Sequence, residues 1–180
     1  MVVPSRAGPP SALWHTQRLS DVTRRMVDLI DVGTLKGLRD RALLLLESTR
    51  RFRRGDVVAI EAHLIQQSDA GLLVQIPRMA TCVLNCTRVI GIQRFPDLRY
   101  CAVQAISDWL CMSGISSGYV FRRLYDVNVV SNTPLRVQGV VHITQALARR
   151  AKCELDWFSM TTCKSPAEER CMDATCASIP

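Results

Sequence analysis

The chain of 180 residues has no apolar stretch approaching the ~20 residues needed to cross a bilayer. Its opening, MVVPSRAGPPSALW, has no apolar core of the kind a signal peptide carries. Both absences lead us to expect a cytoplasmic protein with no membrane partner. Binding at a membrane surface is disfavoured too, because the basic residues lack the adjoining bulky apolar face of an interfacial helix. The eight cysteines form no Cys-x-x-Cys pair. Their nearest spacings are Cys82-x3-Cys86 and Cys171-x4-Cys176, and His15, His63 and His142 are scattered. Zinc sites need closer pairs than these, so neither a metal nor another cofactor is expected. Cys101 and Cys111 fall in an apolar helical pattern, where a free cysteine behaves as a small buried hydrophobe. There is no internal repeat, and no lysine between Lys36 and Lys152.

A 48% hydrophobic content with mean hydropathy +0.09 suits one globular domain plus tails. A net charge of +7 and an isoelectric point near 9.2 favour an acidic partner. The basic charge is densest in ESTRRFRRGD, where Arg50, Arg51, Arg53 and Arg54 are interrupted only by Phe52, directly after the apolar run ALLLL. Cations sit well against the negative end of a helix dipole, so this cluster reads either as a solvated helix end or as a phosphate site.

Residues 1–17, with Pro4, Pro9 and Pro10 and no periodicity, read as a flexible lead-in. The spacing then predicts a helix from Ser20 as N-cap, with Val22, Met26, Leu29 and Ile30 on one face and Gly33 as a stop. A second helix, TLKGLRDRALLLLESTR, points Leu35, Leu38, Ala42, Leu43, Leu45 and Leu46 inward, with Lys36, Arg39, Asp40 and Arg41 as its polar face. A short helix, GDVVAIEAHL, follows the arginines. HLIQQ, GLLVQI and TRVIGIQ then alternate as three strands, the first two joined by SDAG. PDLRYCAVQAISDWLCMSG returns to helical spacing and ends at Gly114; SGYVFRRLYD is a connector; TPLRVQGVVHITQALARRA is an amphipathic helix ending in Arg149 and Arg150. The expected fold is therefore α+β and mainly α, with helices around a small three-stranded antiparallel sheet.

Several segments in this order carry a resemblance. GLRDRALLLLESTRRFRRGDVVAI, GLLVQIPRMATCVLNCTRVIGIQRF, CAVQAISDWLCMSGISSGYVFRRL and VQGVVHITQALARRA together resemble the catalytic domain of tyrosine recombinases, the phage integrase family, over roughly residues 20–150. The resemblance implies site-specific DNA recombination and integration, with double-stranded DNA as partner. FRRGDVV places Arg53 on the family's first catalytic arginine and Asp56 on the acid that supports it, with Gly55 at the usual serine. A planar, permanently charged donor fork stabilises the oxygens of a reacting phosphate. Arg50, Arg51, Arg54, Arg78 and Arg88 are the accompanying DNA-binding candidates.

The rest of the family's machinery is not matched. Its strand-turn lysine falls on Ala80, and positioned proton transfer is typically worth about 10²–10⁴-fold. No histidine follows His142 and no tyrosine follows Tyr125, so a His-x-x-Arg box and a late tyrosine nucleophile have no counterpart. Tyr100 and Tyr119 read as packing residues. The cysteine-rich, aperiodic stretch from 153 to 180 reads as translation in a shifted frame, and residues 1–17 leave no room for the family's helical DNA-clamping domain.

The expected organisation is a lead-in (1–17), an incomplete recombinase-like catalytic domain (18–152) and a divergent tail (153–180). The expected function is DNA binding without strand cleavage, with full-length recombinase subunits or copies of itself as protein partners. Activity would require a partner to donate the missing groups. The alternative is an interaction module without DNA, or a remnant, self-associating through apolar helix faces exposed at Val137, Val140, Val141 and Leu147.

Overall fold

The computed structural model describes residues 14–15, 17, 19–76 and 88–153. The Ser20 hydroxyl accepts a hydrogen bond from Thr23 N (3.2 Å) and starts helix α1, Asp21–Asp28. Thr34 caps helix α2, Leu35–Ser48, in the same way through Gly37 N (3.0 Å). The two boundaries follow the cap residues in the sequence.

Helix α2 is the centre of the core. Every residue from Gly37 to Leu46 is buried, so of the expected polar face only Lys36 meets solvent: Arg39, Asp40 and Arg41 are only 5–6% exposed. Burying these charges is tolerable because each is paired. Arg39 donates through Nε and Nη2 to Asp40 Oδ1 (2.9 and 2.6 Å). Arg41 donates to the carbonyls of Leu98 (2.7 Å) and Arg99 (3.0 Å) and to the Asp108 carboxylate (3.1 Å). The leucine run Leu43–Leu46 is wholly buried because partners cover the helix all round. Helices α1, α3 (Arg54–Ala59), α4 (Ala102–Ser113) and α5 (Val137–Arg150) all pack against it.

Strands β2 (Ile65–Ser68), β3 (Gly71–Ile76) and β4 (Arg88–Gln93) form the three expected antiparallel strands. Leu72, Val74 and Ile76 of β3 and Ile90 and Ile92 of β4 alternate into the core. The sheet nevertheless has four strands and is mixed. Strand β1, Trp14–His15, pairs parallel to β4, giving the order β1-β4-β3-β2. The end of the expected lead-in is thus tied to the domain. Gln17 beside it is buried, donating to Ser48 Oγ (3.1 Å) and accepting from Ala102 N at the start of α4 (3.1 Å). A two-residue strand has no periodicity to read, so only the free edge of β4 specifies it.

The connector after α4 forms a second two-stranded sheet, β5 (Arg122–Asp126) with β6 (Val129–Pro134). Its turn covers the start of α2, where Leu35 N donates to Asn128 Oδ1 and Lys36 N to Val127 O, both 2.9 Å. Helix α5 also corrects the apolar face expected to drive self-association. Val140 and Leu147 are buried against the domain, Val141 is half-buried, and only Val137 is exposed. Cys101 is buried as expected, accepting from Phe95 N (3.2 Å), whereas Cys111 lies on the exposed side of α4 and Tyr119 is exposed rather than packed. No described helix is long and apolar enough to cross a membrane.

Candidate functional site

The arginine cluster is a turn between two helices, and its shape follows from its own residues. Helix α2 stops at Thr49, whose hydroxyl donates back to Leu46 O (2.8 Å) and whose Oγ1 accepts from Arg51 N (3.4 Å). Arg50 then adopts a left-handed backbone, φ 55°, a conformation that costs a non-glycine residue about 1–2 kcal/mol. Phe52 is buried between exposed Arg51 and Arg53, so the one apolar residue of RRFRR anchors the turn while its neighbours face out. Arg53 is the N-cap of α3, and its N–H donates to Asp56 Oδ2 (2.9 Å), which closes the turn three residues on.

Arg54 faces the other way. Its Nε lies 3.3 Å from Glu47 Oε1, with side chains 16% and 8% exposed. The other Glu47 oxygen accepts from the Thr144 hydroxyl of α5 (3.0 Å). Burial pushes the Glu47 carboxyl above its ordinary value of 4.5, against the opposing pull of Thr144 and Arg54. One carboxylate thereby ties the ends of α2 and α3 to the middle of α5. The sequence reading passed over Glu47 and Thr144. A signal was available: Glu47 lies four residues after Leu43, on the same buried face of α2.

The structure therefore brings Arg50, Arg51 and Arg53 together on the outside of one turn and draws Arg54 inward. Among the described residues, the side chains of Arg50 and Arg53 have no hydrogen-bond or ion-pair partner. Arg88 opens β4 opposite Ile76. Arg78, Ala80 and the cysteine-rich stretch beyond residue 153 lie outside the described residues. No group of three or more metal-ligating side chains converges among those described. Chemically, the turn offers planar cationic donors that match phosphate or carboxylate oxygens.

Comparison with known proteins gives this geometry a class. No protein-family model matches the chain. Over 120 residues, 67% of its length, it is 31% identical to a protein described as an integrase/recombinase xerD homolog from Selenomonas ruminantium. The matched region is 35% of that protein, so the chain corresponds to about a third of its relative. The likeness supports the tyrosine recombinase family as the class to which this chain is related, and the α+β fold is compatible with a recombinase domain.

Proposed function

We propose that the chain is a DNA-binding protein of the site-specific recombinase family and that its arginine turn meets the phosphate backbone. The observation that carries the reading is the outward grouping of Arg50, Arg51 and Arg53 on a turn anchored by Phe52, in a chain of net charge +7. Neutralising phosphates with such groups gives sequence-tolerant, salt-sensitive binding. Arg53 occupies the position that resembles the family's first catalytic arginine. Asp56, holding its backbone, is a positioning residue.

In this reading the 180 residues bind DNA without cutting it. They contain no tyrosine after Tyr125, no histidine after His142 and no lysine between Lys36 and Lys152, so the nucleophile and proton donors that strand cleavage needs are not supplied.

The test is fluorescence anisotropy of a labelled duplex against salt, for the unaltered chain beside Arg53→Ala and Arg54→Ala. Micromolar binding that falls steeply with salt, with Arg53→Ala lowering the logarithmic salt slope by about 0.9, supports a direct phosphate contact. Absence of binding at low salt by demonstrably folded protein overturns the reading. A suicide duplex that traps protein covalently would overturn the non-cleaving part alone.

A further inference from the structure

The loop that follows α4 and the β5–β6 hairpin line a half-open cleft of about 260 Å³. Ser113, Ser116, Ser117, Arg122 and Asn132 line it, with Ile115 contributing apolar wall. The volume is below the roughly 300–1,000 Å³ of sites for drug-sized ligands, which suits a small polar group.

Arg122 is held in this cleft without a countercharge. Its Nε donates to Tyr119 O (2.9 Å), Nη1 to Asn132 Oδ1 (3.1 Å) and Nη2 to Ser117 O. All three acceptors are neutral. Elsewhere, Arg39, Arg41, Arg54 and Arg99 each meet a carboxylate, at 2.6, 3.1, 3.3 and 2.9 Å. No carboxylate reaches Arg122 among the described residues. Three fixed hydrogen bonds set the guanidinium plane and remove the entropy that an exposed arginine loses on binding. Two of the five N–H groups remain, one on each terminal nitrogen. These two N–H groups are left to donate to an oxyanion.

The surrounding loop is shaped for the same purpose. Gly114 and Gly118 both take φ +67°, a left-handed conformation that curls residues 114–118 around the guanidinium. A Cβ on Gly118 would come to 3.4 Å from Arg122 Nη2. Ser116, Ser117 and Asn132 line the cleft without adding negative charge.

We propose that this cleft is a phosphate-binding pocket with Arg122 as its cation, separate from the arginine turn at the other end of α3. The ligand is a phosphate oxyanion, either free or part of a nucleic-acid backbone. The proposal stands independently of the DNA-binding reading of the turn, because free phosphate suffices to test it.

The experiment is titration of the ¹⁵N-labelled full chain with inorganic phosphate, following the amide signals of residues 113–118. Saturable shifts there are expected. Asn132→Asp supplies Arg122 with a carboxylate while keeping the oxygen it already bonds, and should weaken phosphate binding by about tenfold or more with dispersed, folded spectra. Arg122→Gln should abolish the shifts, and Arg53→Ala should leave them unchanged. Absence of saturable shifts in the unaltered chain, or equal affinity in folded Asn132→Asp, overturns the proposal. A parallel titration with duplex DNA separates the sources. Shifts at 113–118 that inorganic phosphate competes away identify the backbone as ligand, whereas response to phosphate alone identifies a free phosphate or phosphorylated small molecule.

Discussion

Glu47 Oε1 and Arg54 Nε stand 3.3 Å apart in a largely buried ion pair, which turns one of four clustered arginines away from solvent. Their neighbour Thr144 holds the second carboxylate oxygen at 3.0 Å. The pair converts a run of like charges into a turn with an inside and an outside. Losing Glu47 would remove the buried carboxylate that Arg54 Nε and the Thr144 hydroxyl share. Glu47→Ala is expected to destabilise the fold by about 1–3 kcal/mol in urea unfolding. Arg54→Ala should couple to it non-additively in a double-mutant cycle, because both delete one interaction.

The same carboxylate sets a pH dependence. Burial raises the Glu47 pKa above 4.5, so the folded state binds the proton more tightly than the unfolded state does. Stability is fuller below 4.5 and is lost as pH rises through the raised folded value. Asp40, also raised by burial from its ordinary 3.8 despite Arg39 and Lys36, contributes with the same sign. Unfolding free energy measured from pH 4.5 upward should show this downward component, and it should be reduced in Glu47→Gln. An unchanged pH profile in that variant counts against the assignment.

Arg50 sits where a glycine would relieve the backbone. Arg50→Gly should therefore stabilise the domain by up to about 1 kcal/mol while removing one outward guanidinium. In the proposed function the same substitution weakens duplex binding and lowers the salt slope. Greater stability together with weaker binding is the expected pattern, read by urea unfolding and anisotropy on one sample.

Two glycines near the turn and the core should respond with opposite signs to alanine. A Cβ on Gly37 would lie 1.7 Å from the Asp31 carbonyl oxygen, so Gly37→Ala must displace backbone and is expected to cost about 1–3 kcal/mol. A Cβ on Gly55, in the first turn of α3, would meet open space among the described residues. Gly55→Ala should gain up to about 1 kcal/mol from helix propensity. Thermal unfolding of the two variants distinguishes them, at about 2–4 °C per kcal/mol for a chain of this size.

Gln17 links the N-terminal strand to two helices. Gln17→Ala strands Ala102 N and removes the donor to Ser48 Oγ, and should cost about 1–3 kcal/mol. Deleting residues 1–17 should cost at least as much. A deletion that left the melting temperature unchanged would contradict a structural role for this segment.

What the sequence alone determined is local. Ser20 as a cap, Gly114 as the stop of α4, the alternation of β2, β3 and β4, and the turn at Asp69–Ala70 were all legible, because each depends on neighbours within a few residues. The arginine cluster and its likeness to a recombinase segment were legible in the same way. Tertiary structure decided the rest, because burial depends on what covers a surface. It made the charged stripe Arg39–Asp40–Arg41 an interior network by placing Leu98, Arg99 and Asp108 against it. It recruited Trp14–His15 to the vacant edge of β4, and it sorted four clustered arginines by giving Arg54 a carboxylate and leaving Arg53 outward. An arginine's side chain faces phosphate or protein according to which acid the fold brings within about 4 Å, and that acid can be seven residues or seventy away.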